Sequence, residues 1–276
     1  MAENINFLMF SKELLKRFKE DEISSLAAEL AYFFLLSLFP FLIFLMTLLA
    51  YLPLSADVVL DFVAQYAPGN TMKLIEGNVK HIIENQNMTL LSFGIIGTIW
   101  SASNGINAIV RAFNKAYQVE ENRHFLIARL MSILLTFAMM LVILIALLLP
   151  VFGKEIGLFI FRAFGFTNVF LTIWNTIRWL LSAVILCIVF TGLYYIAPNK
   201  RMKISEAYPG ALFATVGWIV VSLLFSYYVG NFGNFSVTYG SLGGVIILLI
   251  WFYLSAVIII LGGEINAILS KNSKDF

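Results

Sequence analysis

The sequence predicts an all-α integral membrane protein: a bundle of six transmembrane helices, an N-terminal amphipathic interfacial helix, and amphipathic helices in one long outer loop. Three observations carry this. The 276 residues are 61% hydrophobic and only 12% charged, with a mean hydropathy of +0.90. A soluble domain is nearer half apolar and a quarter charged. Six continuous apolar runs, at about 26–53, 90–112, 125–151, 169–197, 207–230 and 242–269, are each long enough to cross ~30 Å of hydrocarbon as a helix. A β-barrel would need short alternating segments instead. Finally, with the N-terminus placed inside, 13 lysines and arginines fall on inner segments and 5 on outer ones. That bias puts both termini in the cytoplasm. The whole chain, 1–276, reads as a single membrane domain.

Residues 5–22, INFLMFSKELLKRFKEDE, alternate apolar and basic residues at helical spacing. Phe7, Leu8, Phe10, Leu14, Leu15 and Phe18 fall on one side and the lysines and Arg17 on the other, as in a helix lying on the inner leaflet or a solvated cap on the first span. The first span opens with ELAY, placing Glu29 and Tyr32 a few residues inside the apolar run. Pro40 interrupts the same run. It removes a hydrogen bond to residue 36 and bends the helix, as a gate hinge or as fixed packing geometry.

The outer segment 54–89 repeats apolar residues at helical spacing on both sides of APGN at 67–70. Two short amphipathic helices over the outer face follow from that pattern. The second span ends in a polar stripe: Ser101, Asn104, Asn107, Arg111 and Asn114 recur every three or four residues, which stacks them on one helix face. In the fourth span Asn175 and Arg178 stand on the outer side beside Trp174 and Trp179, as candidates for a lipid headgroup contact or an aromatic belt. The uncharged stretch 229–244 joins spans five and six through several glycines, among them Gly240, Gly243 and Gly244. These are hinge candidates in a plain loop or a re-entrant element. The sixth span carries Glu264 and Asn266 in EINA near its inner end.

Other chemistries find little support. Cys187 is the only cysteine, so no internal disulfide forms. His81 and His124 have no ligands at metal-binding spacing, and no cofactor or metal is expected. A net charge of +2 is too small for a nucleic-acid binder. No phosphate-binding G-x-x-x-x-G-K-[ST] loop occurs, and no cleavable signal peptide is evident.

Ionisable residues at membrane depth are costly and usually face a bundle interior or a polar cavity. The pathway candidates are therefore Glu29, Tyr32, Asn104, Asn107, Arg111, Glu264 and Asn266. The expected arrangement sets Arg111 between Glu29 and Glu264, with the stripe turned to the bundle axis and Ile106, Ile109, Val110 and Phe113 toward lipid or neighbours. Polar glue between helices is the alternative. A weak echo also links the second span (LSFGIIGTIW, then GINAIV) to the sixth (SLGGVIILLIW, then EINAIL), in the sense of a parallel repeat.

The segments LAAELAYFFLLSLFPFLIFL, WSASNGINAIVRAFNKAYQVEENR and YGSLGGVIILLIWFYLSAVIIILGGEINAIL together resemble the YihY/BrkB family of bacterial inner-membrane proteins, over about residues 5–270. The resemblance implies a six-span prokaryotic plasma-membrane protein linked to serum resistance and to export or movement of lipids. It brings no settled catalytic or binding residues. The label ribonuclease BN, which the family has carried, reads as a misassignment. The function expected is a transporter or exporter of lipids or other amphiphilic or anionic substrates, and a non-transporting envelope-assembly factor is the alternative. The expected partners are membrane lipids and either a second copy of the chain or another envelope protein.

Overall fold

A computed structural model describes residues 7–51, 60, 76–77, 87–137, 139, 168–232 and 240–272. Among them there is no β-strand. Helix α1 (Phe7–Glu20) leads through a two-residue turn into α2 (Ile23–Leu49). Then follow α3 (Met88–Ala116), α4 (Phe125–Phe137), α5 (Asn168–Ile196) and α6 (Ile204–Phe232). A 3₁₀ turn (Gly240–Leu242) opens α7 (Gly243–Asn272). Helices α2, α3, α5, α6 and α7 each contain a stretch long and apolar enough to cross a membrane. For the third expected span only the first half, α4, is described. The outer-loop helices expected over 54–89 lie almost wholly outside the described residues, as do residues 233–239 of the 229–244 stretch.

The first span begins and ends earlier than expected, at Ile23 and Leu49 instead of 26 and 53. Glu22 explains the start. It adopts a left-handed conformation, φ 55°, and its carbonyl accepts the first α2 bonds, from Ser25 and Leu26. The close of α3 is equally defined. Gln118, at φ 54°, takes the position usually held by glycine. Its N–H donates to Lys115 and the Val119 N–H to Asn114, at 3.0 and 2.9 Å. Together these bonds occupy carbonyls that the helix end leaves open.

The chain divides into two compact units, Phe33–Asn104 and the remainder. In the smaller one α2 and α3 touch through glycines. A Cβ on Gly94 would lie 2.7 Å from the Phe44 backbone nitrogen, and one on Gly97 would lie 3.0 Å from the Pro40 ring. In the larger unit α6 packs against both α5 and α7, and α1 lies against α7. The α6–α7 crossing is tight at Gly210, where an added Cβ would sit 2.0 Å from the Gly262 carbonyl oxygen. Without water to drive apolar contact, membrane helices associate through such small-residue approaches. Farther along, the Trp218 and Trp251 rings meet edge to face at 5.8 Å.

Large apolar side chains remain exposed along these helices, including Phe93, Ile96 and Trp100 on α3, Ile188 on α5, and Leu223, Leu224 and Tyr227 on α6. In water such a surface would aggregate. Against hydrocarbon it is the surface a spanning helix needs.

Candidate functional site

The polar residues of the larger unit gather where α1, the end of α3, the α5–α6 loop and the end of α7 meet. At the centre stands a buried ion pair. Glu264 on α7 is 1% exposed and Arg17 on α1 is 7% exposed. Arg17 donates from Nη1 to Glu264 Oε2 at 3.2 Å and to the Ala116 carbonyl at 3.1 Å, and from Nε to Glu13 at 3.0 Å. Only a guanidinium can serve three acceptors in this forked geometry. Burial alone would lower the Arg17 pKa, but the hydrogen bonds it donates to Glu13 and Glu264 outweigh it and hold Arg17 above its ordinary range. The Arg17 bond in turn holds the Glu13 carboxyl below the usual range. Asp21 lies beside the same pair, and burial raises its carboxyl despite the pull of Arg17 and Lys115.

This corrects the expected partner of Glu264, which pairs with Arg17 and not with Arg111. The residue missed was Arg17, read as one of several cations on the wet side of an interfacial helix. Lys12, Lys16 and Lys19 are exposed, whereas Arg17 is turned in. The available signal was that it is the helix's only arginine.

Arg111 does meet Glu29, forming an ion pair between α3 and α2. A second pair, Lys115 to Glu22 at 2.9 Å, runs alongside it. Side-chain exposures of 53% for Arg111 and 38% for Glu29 place this pair at the surface of its unit. The inward orientation expected for Arg111 is therefore corrected as well, whereas Ser101 and Asn114 of the same stripe are buried. Ile106, Ile109, Val110 and Phe113 are the buried face of α3, because they pack against neighbouring helices, and Arg111 points away from that core.

The other stripe residues act as ties. Asn107 accepts a hydrogen bond from Ser132 on α4. Asn114 donates to Glu121 at 2.9 Å and accepts from the Asn199 N–H at 2.7 Å. Arg123 closes the end of α5 by donating to the Ala197 and Pro198 carbonyls, at 3.1 and 2.7 Å. Asn104 belongs to the smaller unit.

Asn266 has a specific task. Pro209 inside α6 offers no N–H and its ring disturbs the preceding turn. The Gly210 N–H donates to Asn266 Oδ1 at 2.7 Å, and Asn266 Nδ2 donates to the Ala207 carbonyl at 2.9 Å. A fully buried amide thus supplies partners to backbone groups beside the proline. The adjacent glycines make the motif GGEINA legible. An added Cβ on Gly262 would strike the Tyr194 hydroxyl at 2.2 Å, and one on Gly263 would strike the Phe113 ring at 2.6 Å. Tyr194 itself donates to the Ile259 carbonyl at 2.7 Å. The two INA stretches of the weak echo therefore hold asparagines with different partners.

Among the remaining candidates, Tyr32 is exposed on α2 near Glu29. Pro40 lies over Gly97 within an unbroken α2. Gly240 uses a left-handed φ of 55° to turn the chain into α7, Gly243 is buried and Gly244 exposed. The side chains of Asn175 and Arg178 lie outside the described residues. Among the described residues, no group of three or more His, Cys, Asp or Glu is placed to hold a metal ion.

The family model described as virulence factor BrkB matches residues 14–275. The Bacillus subtilis protein YfkH, whose name describes it as ribonuclease-like, is 59% identical over 267 residues, covering 97% of each chain. A UPF0761 membrane protein of Aliivibrio salmonicida is 28% identical over 280 residues, covering 98% of this chain and 84% of its own. One from Alteromonas mediterranea is 28% identical over 264 residues, covering 93% and 86%. No solved structure matches. With long apolar helices and a match over nearly its full length, this chain is a membrane protein, all-helical among its described residues, that belongs to the virulence factor BrkB family.

Proposed function

We propose that the chain is a six-span transporter or exporter of the bacterial plasma membrane, with both termini cytoplasmic, moving lipids or other amphiphilic, anionic substrates. The observation that carries this is the Glu29–Arg111 pair. Both residues belong to membrane-crossing helices, and both remain accessible. Retaining a charge pair within apolar spans is costly unless polar surroundings or a polar ligand reach it. An amphiphile with an anionic group supplies such a ligand for Arg111, while its chains stay beside the apolar flanks of α2 and α3. The chain carries no phosphate-binding loop, so the driving force is an ion gradient, a partner ATPase or the substrate's own gradient.

A second reading, a non-transporting envelope-assembly factor, draws on the fact that Glu264, Asn266, Asn107 and Asn114 are all engaged in ties between segments. The ribonuclease-like name of YfkH suggests a third, but phosphodiester cleavage needs clustered metal ligands or an equivalent acid–base constellation. Reconstitution into liposomes separates these readings. Solute flux and lipid scrambling are measured side by side for wild type, Glu29→Gln and Arg111→Ala. The transport reading expects activity in one assay and at least a ~10-fold loss in both folded variants, the scale of a lost charge-assisted contact. Wild-type protein inactive in both assays would leave the assembly reading. The same preparation incubated with RNA and magnesium, manganese or zinc should leave the RNA intact.

A further inference from the structure

A cavity of about 320 Å³ opens beside the Arg17–Glu264 pair, at the end of the helices. Arg17, Tyr117, Gln118, Lys200, Ser270 and Lys271 line it. Three of these side chains are cationic. Lys200 stands 4.3 Å above the Tyr117 ring and donates to the Ser270 hydroxyl at 2.7 Å. The Tyr117 hydroxyl is buried and has no hydrogen-bond partner. Helices α3 and α7 end here, and their carbonyl ends attract cations. That accounts for lysines at this face, but not for a buried phenol left without a partner, which carries a desolvation cost.

We propose that this cavity binds a phosphate group, carried as the monoester headgroup of an anionic lipid or present as free phosphate. A tetrahedral oxyanion accepts hydrogen bonds from several directions at once, and the cavity offers donors from α1, the α3 exit, the α5–α6 loop and α7. A planar carboxylate would satisfy fewer of them. Basic pockets at the inner ends of membrane helices are suited to phosphorylated headgroups. Burial, reinforced by the negative charges of Glu206 and Glu264, pushes the Tyr117 phenol well above its usual range, so it stays a donor at any physiological pH. Gln118, held in its left-handed conformation, lines the same cavity. The site stands independently of whether the chain transports anything, because it lies on residues other than Glu29 and Arg111.

The test is thermal unfolding in a neutral detergent. Inorganic phosphate is titrated against chloride at matched ionic strength, and short-chain phosphatidic acid against short-chain phosphatidylcholine. Stabilisation by phosphatidic acid alone assigns the site to a lipid headgroup, and stabilisation by both phosphate and the lipid assigns it to the phosphate group itself. In either case the Tyr117→Phe and Lys200→Gln proteins should need about ten-fold more ligand for the same shift, the loss expected for one hydrogen bond to a charged group. Unliganded Tyr117→Phe should unfold no lower than wild type, since the hydroxyl it lacks has no partner. Absence of stabilisation by either ligand overturns the proposal. So does a stabilisation that both variants leave undiminished.

Discussion

Arg17 turns inward from a helix whose lysines face out because Glu264 is buried on α7 and needs a cation that can also serve a backbone carbonyl. Arg17→Ala would leave that carboxylate without its partner. The expected loss is about 3–5 kcal/mol, the usual consequence of breaking a buried pair. Replacing both residues with methionine should cost much less, since the desolvation of both charges disappears along with their attraction. Thermal unfolding of the two singles and the double decides the point, and additive losses would mean that the residues act separately. Asp21 beside them gives a pH signature. Burial raises its folded pKa, aided by the charge of Glu20 and opposed by Arg17, Lys115 and a hydrogen bond with Glu264. The folded chain therefore holds the Asp21 proton more tightly than the unfolded chain does. Its contribution to stability is fully present below the unfolded value of about 3.9 and is lost as pH rises through the folded value. Asp21→Asn should remove this decline, so its unfolding temperature should gain on wild type across that window. Parallel profiles for the two proteins would assign the burial of Asp21 no energetic weight.

At the scale of elements, α6 contains a proline that a neighbouring helix completes. Asn266→Ala leaves the buried Gly210 N–H without its side-chain acceptor, at a cost of about 1–3 kcal/mol. Pro209→Ala restores a regular ladder, in which Gly210 reaches the carbonyl four residues back. The penalty of Asn266→Ala should therefore shrink in the Pro209→Ala background. An equal penalty in both would show that Asn266 acts on something other than the proline turn. The glycines at 210, 262 and 263 set how closely the helices approach, and this is why the amide can reach across. The turn between α1 and α2 likewise places two ion pairs, Glu22–Lys115 and Glu29–Arg111, along antiparallel helices. One spacing thus joins a structural tie to the residues offered for transport.

For the whole molecule, the basic residues decide which way the chain lies. Arg17, Lys115, Lys200 and Lys271 converge on one end of the larger unit, and by the positive-inside rule that is the end we propose to be cytoplasmic. Cysteines introduced at positions 12, 120 and 202 should resist an impermeant thiol reagent in intact cells, while those at 70, 155 and 235 should label. The opposite pattern would reverse the membrane orientation and place the phosphate cavity on the outer side.

The existence and approximate extent of the long helices were legible in the sequence because they are local properties. A helix in hydrocarbon satisfies its own backbone, so an apolar run of sufficient length specifies it without reference to any other segment. The Glu29–Arg111 pairing was also within reach, since few charges occur at that depth and opposite charges at one level attract. The partner of Glu264 was not within reach. It lies 247 residues away, on a helix whose periodicity makes Arg17 resemble the lysines around it. Nor does periodicity reveal that Asn266 serves Pro209, because that depends on α6 and α7 approaching through Gly210 and Gly262. The sequence by itself determined where the long apolar helices lie. The tertiary structure decided which polar residues are ties and which remain open, because a polar group's partner is chosen by three-dimensional proximity, which spacing along one helix does not encode.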